Sequence, residues 1–171
     1  MAPPRNRVAA APKRGIMLRI KKSSWLAVCQ HARQTFPEEC CGVIIGEEPG
    51  GREDVRPIDN VQNALHAKDP QAYPRDASTA YFMDARQLLA LLREVDEKKL
   101  VLRAFYHSHP QHEAYFSGED RARAMFDDQP AYPGTAHLVV SVYDREVREA
   151  RAFAWADDAA DFKPVPLVVE E

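Results

Sequence analysis

Short apolar runs recur along the chain and predict the strands of a sheet. The clearest run covers residues 40–46, where Cys, Val and Ile are almost continuous between flanking acidic residues. Residues 55–58 form a second run, which is predicted to pair with the first across a turn at 49–51. Five further strands are predicted, at residues 17–20, 100–107, 137–142, 147–155 and 165–169. Pro110 favours an end to the strand that begins at residue 100, because proline cannot donate to a β-ladder.

A different spacing, with apolar residues three and four positions apart, predicts the most regular helix of the chain. Its apolar face is formed by Leu88, Leu89, Leu91, Leu92 and Val95. Asp84 stands where an N-cap residue belongs, and two lysines at 98–99 follow the end of the pattern. We therefore predict a capped amphipathic helix with one apolar face.

Two further helices are predicted from serines that can cap them. Ser23 or Ser24 precedes a helix that carries several apolar residues and is interrupted at Pro37. Ser117 begins the other helix, which is expected to extend roughly to residue 127. Residues 60–79 are instead rich in Asn, Asp and Pro, and they predict a long polar loop of the kind that often carries function.

The chain length and the order of the elements predict one α+β domain. A chain of 171 residues fits a single domain of ordinary size. Strands and helices alternate without a strict βαβ repeat, so we expect a mixed β-sheet flanked by helices. This domain is predicted to cover residues 16–171. Residues 1–15 combine basic residues and prolines without apolar periodicity, and they are predicted to form a mobile basic tail.

Composition and charge exclude several classes of protein. With 45% hydrophobic and 29% charged residues, the composition is that of a globular protein rather than of a disordered one. The net charge of −3 gives no general attraction for nucleic acid or for anionic membranes. No run approaches the roughly 20 apolar residues of a membrane span, and residues 1–17 lack the apolar segment of a signal peptide. The three cysteines, two of them adjacent, favour a reducing compartment, so we expect a cytoplasmic protein.

The candidate chemistry lies around the strand predicted at residues 100–107. His107 and His109 are two positions apart, and side chains with that spacing point to the same face of a strand. Asp120, in the first turn of the next predicted helix, can supply a third ligand if the loop folds back. Two imidazole nitrogens and one carboxylate leave a fourth position of Zn²⁺ for water, which is the arrangement of catalytic rather than structural zinc sites.

Simpler interpretations exist for each of these residues alone. A single histidine on a strand is usually structural, and Ser117 followed by Asp120 is also an ordinary helix N-terminus. The combined spacing makes a chance match a weak alternative. Other zinc hydrolases fit less well, because Gln111 stands where the metallo-β-lactamase signature needs an aspartate and the deaminase Cys-x-x-Cys is absent. Cys40 and Cys41 lie in an apolar run, which favours small core residues over a nucleophile.

The segment that contains the two histidines is similar to the JAMM motif of MPN-type metalloproteases. The sequence HSHP is followed, at the interval seen in the family, by Ser117 and then by Asp120. Upstream, the residues Glu39-Cys40-Cys41-Gly42 resemble the Glu-x-Cys-Gly segment that carries the catalytic glutamate of the family. Glu38 stands beside this segment, but Glu39 has the family's spacing to the glycine. The resemblance covers most of the predicted domain.

This resemblance implies a fold, a metal and a role for each matched residue. The implied fold is a single MPN domain, similar to that of cytidine deaminases, with a mixed sheet and flanking helices. Zinc is implied as the cofactor, bound by His107, His109 and Asp120. Glu39 is implied to act on the zinc-bound water, and Ser117 on the developing oxyanion. The resemblance therefore predicts a zinc metallopeptidase.

The chain resembles the short bacterial members of the family, which act on ubiquitin-like sulfur-carrier proteins. This implies cleavage after the C-terminal Gly-Gly of a ThiS-like or MoaD-like carrier. An isopeptidase of a bacterial ubiquitin-like conjugation or defence system is the first alternative. A non-catalytic MPN scaffold is the second, although such scaffolds lose ligands that are all present here. Whether the protein forms a homodimer stays open.

Overall fold

The computed structural model describes residues 16–48 and 50–171. In chain order, the elements of this part are β1 (Leu18–Lys21), α1 (Lys22–Thr35), β2 (Cys41–Gly46), β3 (Glu53–Ile58), α2 (Gln62–Lys68), α3 (Ala85–Glu97), β4 (Val101–Pro110), α4 (Gly118–Ala124), β5 (Met125–Phe126), β6 (Gln129–Pro130), β7 (Ala136–Tyr143), β8 (Glu146–Ala156), β9 (Asp161–Val165) and β10 (Leu167–Glu170). The tail predicted at residues 1–15, and Pro49 of the predicted turn, lie outside the described residues. Within the described part, no helix is long and apolar enough to cross a membrane.

The main sheet has six strands in the order β3-β2-β4-β7-β8-β9. β4 and β7 are parallel neighbours, whereas every other pair in this sheet is antiparallel. β1 and β10 form a separate parallel pair, and β5 and β6 form a short antiparallel one. The prediction of an α+β fold, with a mixed sheet and flanking helices, is confirmed.

Both faces of the main sheet are covered, because alternate side chains of its central strands meet different helices. On β2, Ile44 packs in the core that contains Val28 of α1. Val43 and Ile45 point to the opposite face and pack with Leu91 of α3. A third apolar cluster, beside α4, contains Ala114, Ala124, Val139, Phe153 and Phe162. The face that carries α3 and α4 is the one from which the candidate site is built.

The serine cap predicted for the first helix is wrong. α1 begins at Lys22, directly after β1, and no side chain caps it at Lys21. The Lys21 N–H instead donates to Oε1 of Glu53 at 2.9 Å, while Ser24 is buried within the helix. Because this acceptor lies on β3, far away in the sequence, the local pattern alone misplaces the start of the helix.

The long loop predicted at residues 60–79 is also wrong in part, since it contains the helix α2. The helix is short and depends on side-chain contacts more than on an apolar pattern. Oδ1 of Asn60 accepts the Gln62 N–H at 3.0 Å, and Nδ2 of Asn60 donates to the Glu39 carbonyl at 3.0 Å. The buried Gln62 side chain donates through Nε2 to the Arg75 carbonyl at 2.7 Å. These contacts hold the segment beside the start of β2.

Several other predicted boundaries differ from the structure by a few residues, and two of them have a clear local cause. α4 ends at Ala124 rather than near residue 127, because the next two residues pair with β6 as the strand β5. The strand predicted at 165–169 is divided at Pro166. β9 ends before this proline in the main sheet, whereas β10 begins after it and pairs with β1. The division follows from the missing N–H of proline.

The amphipathic helix α3 begins as predicted but buries a narrower face. Oδ1 of Asp84 accepts the N–H groups of Arg86 and Gln87, so Asp84 is its N-cap. Leu91 and Val95 are buried against the sheet, but Leu89 is 50% exposed. At 3.6 residues per turn, Leu89 lies more than about 100° away from both buried residues around the helix axis.

Gly42 is a point of very close packing between β2 and its neighbours. A Cβ atom at this position would lie 2.5 Å from the Arg56 carbonyl oxygen and 2.5 Å from the Tyr106 hydroxyl oxygen. Arg56 is fixed in the β2–β3 ladder, and the Tyr106 hydroxyl is 2.8 Å from Nδ1 of His31. Because neither group can move freely, we expect Gly42→Ala to lower the free energy of unfolding by about 1–3 kcal/mol, as overpacking of a core does.

Gly118→Ala is the matched control for this prediction. A Cβ atom at Gly118 would meet nothing within 4 Å. Scanning calorimetry should show a Tm several degrees lower for Gly42→Ala and a nearly unchanged Tm for Gly118→Ala. Equal Tm values for the two variants would contradict the close packing of Gly42.

Candidate active site

β4 presents His107 and His109 on the face of the sheet that α3 and α4 cover. Both imidazoles are buried, and their Nε2 atoms are 3.1 Å apart. Asp120, in the first turn of α4, reaches the same point. Its Oδ1 lies 3.3 Å from Nε2 of His107, and its Oδ2 lies 3.5 Å from Nε2 of His109. The structure thus brings the three predicted ligands together.

The start of α4 fixes the Asp120 carboxylate. Oγ of Ser117 accepts the Asp120 N–H at 3.0 Å, and the Ser117 N–H donates to Oδ2 of Asp120 at 2.9 Å. The two residues therefore form a reciprocal capping box. Burial opposes ionisation of Asp120, but its close contacts with His107, His109 and the Ser117 N–H hold its pKa well below the usual range.

Neighbouring groups orient the two histidines. Nδ1 of His109 lies 2.8 Å from the Glu113 carbonyl oxygen. A carbonyl oxygen can only accept, so Nδ1 carries a proton, and Nε2 is the nitrogen that faces the other donor atoms. The His107 ring stacks on Tyr81, with the ring centroids 4.5 Å apart, and burial lowers the pKa of His107. Burial therefore favours the neutral form of His107 that binds metal ions, and the Glu113 carbonyl fixes the orientation of the His109 ring.

The donor set fits a tetrahedral metal ion. Ligand atoms at about 2.0–2.1 Å from a tetrahedral Zn²⁺ lie about 3.3 Å from each other. The three separations between the donor atoms of His107, His109 and Asp120 are 3.1, 3.3 and 3.5 Å. Two imidazole nitrogens and one carboxylate oxygen are also ligands that zinc commonly accepts, and they leave one position open. The residues present therefore fit the ion that the sequence predicts.

The two adjacent glutamates before β2 point in different directions. Glu39 is buried, and its side chain lines a cavity of about 340 Å³ beside the donor group. Its N–H donates to the Ala77 carbonyl at 2.7 Å, and its own carbonyl accepts the Asn60 side chain. Glu38 is exposed, and its Oε1 accepts Nδ2 of Asn63 at 2.8 Å. Of the two carboxyl groups, only that of Glu39 lies where it can act on a molecule in the cavity.

The cavity is strongly charged. Its walls include Arg75, Tyr81, Tyr115, Ser117, Glu119 and Arg123. Burial, followed by the negative charges of Asp120 and Glu119, raises the pKa of Glu39 to about 9, although Arg123 and Arg75 act to lower it. A divalent cation on the donor group would also lower this pKa, because a cation favours the ionised carboxylate.

The sequence pattern gives no indication of several residues around this site. Ser108 is predicted only to point away from the metal face. In the structure its Oγ accepts the Cys40 N–H at 2.8 Å, and its N–H donates to the Cys40 carbonyl at 3.0 Å. Ser108 thereby fixes the backbone next to Glu39. The others are Tyr81 and Arg75, which come from a distant segment, and Arg123, which shares α4 with Asp120 but carries no signal of its own.

The two adjacent cysteines and the other histidines near the site lie outside the donor group. Burial raises the pKa of Cys40 to about 12 and also raises that of Cys41, so both thiols stay protonated at neutral pH. His137 is buried against Phe105 and two other phenylalanine rings, and burial lowers its pKa to about 3. It is a neutral core residue. His112 is different, because it lines the cavity.

A buried group of two histidines and one aspartate, with a further carboxyl group in the same cavity, is typical of metal-dependent hydrolases. Residues 21–156 match the family described as prokaryotic homologs of the JAB domain. Because this match spans most of the chain, the protein belongs to that family and is a JAMM-type hydrolase. The resemblance inferred from the sequence motif is confirmed.

Individual relatives are similar over most of their length. Proteins named CysO-cysteine peptidase, from Mycobacterium bovis and Mycobacterium tuberculosis, are 29% identical over 143 residues, which cover 83% of this chain and 85% of theirs. A protein named desampylase, from Haloferax volcanii, is 28% identical and covers 84% of this chain and 90% of its own. A solved structure from Desulfitobacterium hafniense has a TM-score of 0.66 at 23% identity, covering 91% of this chain and 94% of that one. This last likeness shows the fold alone.

Proposed function

We propose that this protein is a zinc metallopeptidase that cleaves after the C-terminal Gly-Gly of a ubiquitin-like sulfur-carrier protein. The observation that carries the proposal is the position of the buried Glu39 carboxyl group in the cavity beside His107, His109 and Asp120. When bound to these three side chains, zinc would polarise the scissile carbonyl group and lower the pKa of the attacking water. The proton transfers and the stabilisation of the oxyanion are carried out by side chains of the protein.

Glu39 is suited to move the proton of the attacking water. A carboxylate that is close to the metal ligands, without being one of them, can accept this proton and then give it to the leaving amine. Burial makes Glu39 a stronger base than an exposed glutamate, as the direction of its pKa shift indicates. Its backbone is held on both sides, by Ala77 and by Asn60, so the carboxyl group stays at the cavity.

Ser117 is suited to stabilise the negative charge that develops on the carbonyl oxygen of the substrate. Its Oγ already accepts the Asp120 N–H, so the hydroxyl hydrogen is free to donate into the cavity that Ser117 lines. The loss of one such donor typically costs about 3 kcal/mol of transition-state stabilisation. Ser117 therefore combines a structural role in the helix cap with a role in the reaction.

The substrate part of the proposal is supported by the likeness to short bacterial JAMM proteins and to the relatives named CysO-cysteine peptidase and desampylase. A glycine tail also suits the cavity. Glycine has no Cβ, so its backbone can approach the donor group between aromatic walls such as Tyr81 and Tyr115. We expect a side chain at the same position to clash with these rings.

The proposed function can be tested with a panel of substrates and intact-mass analysis. The panel contains ThiS-like and MoaD-like carriers extended beyond Gly-Gly, lysine-linked ubiquitin-like conjugates and unrelated peptides. We expect cleavage of the extended carriers directly after Gly-Gly, and a rate at least about tenfold lower when the last glycine is replaced by alanine. Cleavage of the lysine-linked conjugates alone would support an isopeptidase instead. No cleavage of any substrate would support the scaffold alternative.

A further inference from the structure

Two arginines line the cavity without a role in the proposed mechanism. Arg75 comes from the segment between α2 and α3, and Arg123 comes from α4. Glu119 lies between them, with Oε2 at 3.6 Å from Nη1 of Arg75 and Oε1 at 2.9 Å from Nη2 of Arg123. Both positive charges act on Glu39, which lines the same cavity. The two arginines therefore belong to the surroundings of the proposed proton donor.

Arg123 is held by contacts within the protein. Its guanidinium group donates to Glu119 and lies over the Phe82 ring, 4.7 Å from the ring centroid. Its side chain is only 23% exposed. Arg123 is therefore a fixed charge of the cavity wall rather than a group that is free to bind a ligand.

Arg75 combines a fixed backbone with an exposed guanidinium group whose only ion pair in the described residues, with Glu119, is long. Its carbonyl oxygen accepts a hydrogen bond of 2.7 Å from the buried Gln62 side chain. The Arg75 side chain is 57% exposed, and its contact with Glu119 is longer than a hydrogen bond. Within residues 16–48 and 50–171, the structure gives this guanidinium no hydrogen bond to another residue. Its donors are thus available to a molecule in the cavity.

The proposed reaction places the leaving amine close to Glu39, because Glu39 gives it a proton. In a single free amino acid, only one carbon atom separates this amine from the α-carboxylate. The carboxylate would then lie near the negative charges of Glu39 and Glu119, where it is unfavourable unless a cation pairs with it. A guanidinium group is suited to this task, since its parallel N–H donors match the two oxygens of a carboxylate.

We propose that Arg75 binds the free α-carboxylate of a single amino acid that is released from the Gly-Gly end of the carrier. Arg75 thereby selects carriers with a one-residue adduct over carriers with longer extensions or lysine-linked partners. In those substrates the atom next to the leaving amine bears an amide or a methylene group, and there is no carboxylate to bind. This inference rests on the proposed function, because it specifies the leaving group of the same site.

The test compares two substrates of the zinc-loaded, full-length protein: a ThiS-like carrier ending in Gly-Gly-Ala with a free carboxylate, and the same carrier ending in alanine amide. We expect the protein to favour the free carboxylate by about 10- to 100-fold in kcat/KM, which is the range for one charged hydrogen-bonded pair. Arg75→Gln should abolish this preference by slowing the carboxylate substrate alone, and Arg75→Lys should retain part of it. Arg93→Gln, which changes an exposed arginine of α3, should behave like the unchanged protein.

The possible outcomes separate this inference from the proposed function. Equal rates for the two substrates, or an unchanged preference in Arg75→Gln, would overturn the role of Arg75 and leave the peptidase activity intact. An equal loss with both substrates in Arg75→Gln would also overturn it, because Arg75 would then act on something other than the carboxylate. If the unchanged protein cuts neither carrier, the proposed function is wrong, and this inference falls with it.

Discussion

Glu39→Gln is expected to reduce kcat/KM for an extended Gly-Gly carrier by about a thousandfold, while the zinc content of the protein stays the same. Glutamine has nearly the shape of glutamate, so the backbone contacts with Ala77 and Asn60 remain. Its amide cannot accept the proton of the attacking water, and it has no acidic proton to give to the leaving amine. Both proton transfers are lost, although His107, His109 and Asp120 are unchanged.

Glu38→Gln is the matched control, because it makes the same chemical change one position earlier. Glu38 is exposed and contacts Asn63 outside the cavity. Its variant should therefore retain nearly full activity. The cleavage rates of both variants are measured by intact mass, and their zinc contents by elemental analysis. A large loss of activity in Glu38→Gln with a small loss in Glu39→Gln would show that Glu38, and not Glu39, transfers the proton.

Asp120→Ala is expected to lower the zinc content from about one ion per chain to a small fraction, and to abolish cleavage. The substitution leaves two histidine ligands, which hold a zinc ion far more weakly than three ligands do. It also removes the acceptor of the Ser117 N–H, so one of the two bonds of the capping box is lost and stability falls by about 1 kcal/mol. Elemental analysis after dialysis against a weak chelator measures the first effect, and thermal unfolding measures the second.

Asp120→Asn separates these two effects. The asparagine side chain still offers an oxygen to the Ser117 N–H, but it has no negative charge for a metal ion. It should therefore lose zinc while keeping most of the thermal stability. Asp128→Ala, in an exposed position just beyond α4, should change neither property. Full zinc occupancy in both Asp120 variants would remove Asp120 from the proposed ligand set.

The parts of the site that are close in sequence could be predicted from the sequence. The alternation of side chains along β4 places His107 and His109 on one face whatever the rest of the fold does. The spacing from Ser117 to Asp120 is that of a capping box, which needs only one turn of helix. Most strands of the main sheet could also be predicted, because each of these strands contains an apolar run that can be recognised without its neighbours.

The parts that depend on distant contacts could not be predicted in the same way. The contacts of the Glu39 backbone with Ala77 and Asn60 involve residues that are more than 20 positions away. Arg75 is held by Gln62 on a helix that has no apolar pattern of its own. The start of α1 is set by Glu53, on another strand, rather than by a neighbouring serine. In each case the position of the residue depends on a hydrogen bond to a distant residue, and the local sequence pattern contains no sign of that bond.

The reciprocal bonds between Ser117 and Asp120 preorganise the proposed zinc site before any ion binds. The Asp120 carboxylate is aimed by the first turn of its own helix, and the His109 ring is aimed by the Glu113 carbonyl. Two of the three donors are therefore set in place by the polypeptide itself, so uptake of an ion requires little further ordering of the chain. For the proposed zinc site, folding and metal loading are therefore separable steps, and the folded protein can gain or lose the ion without unfolding.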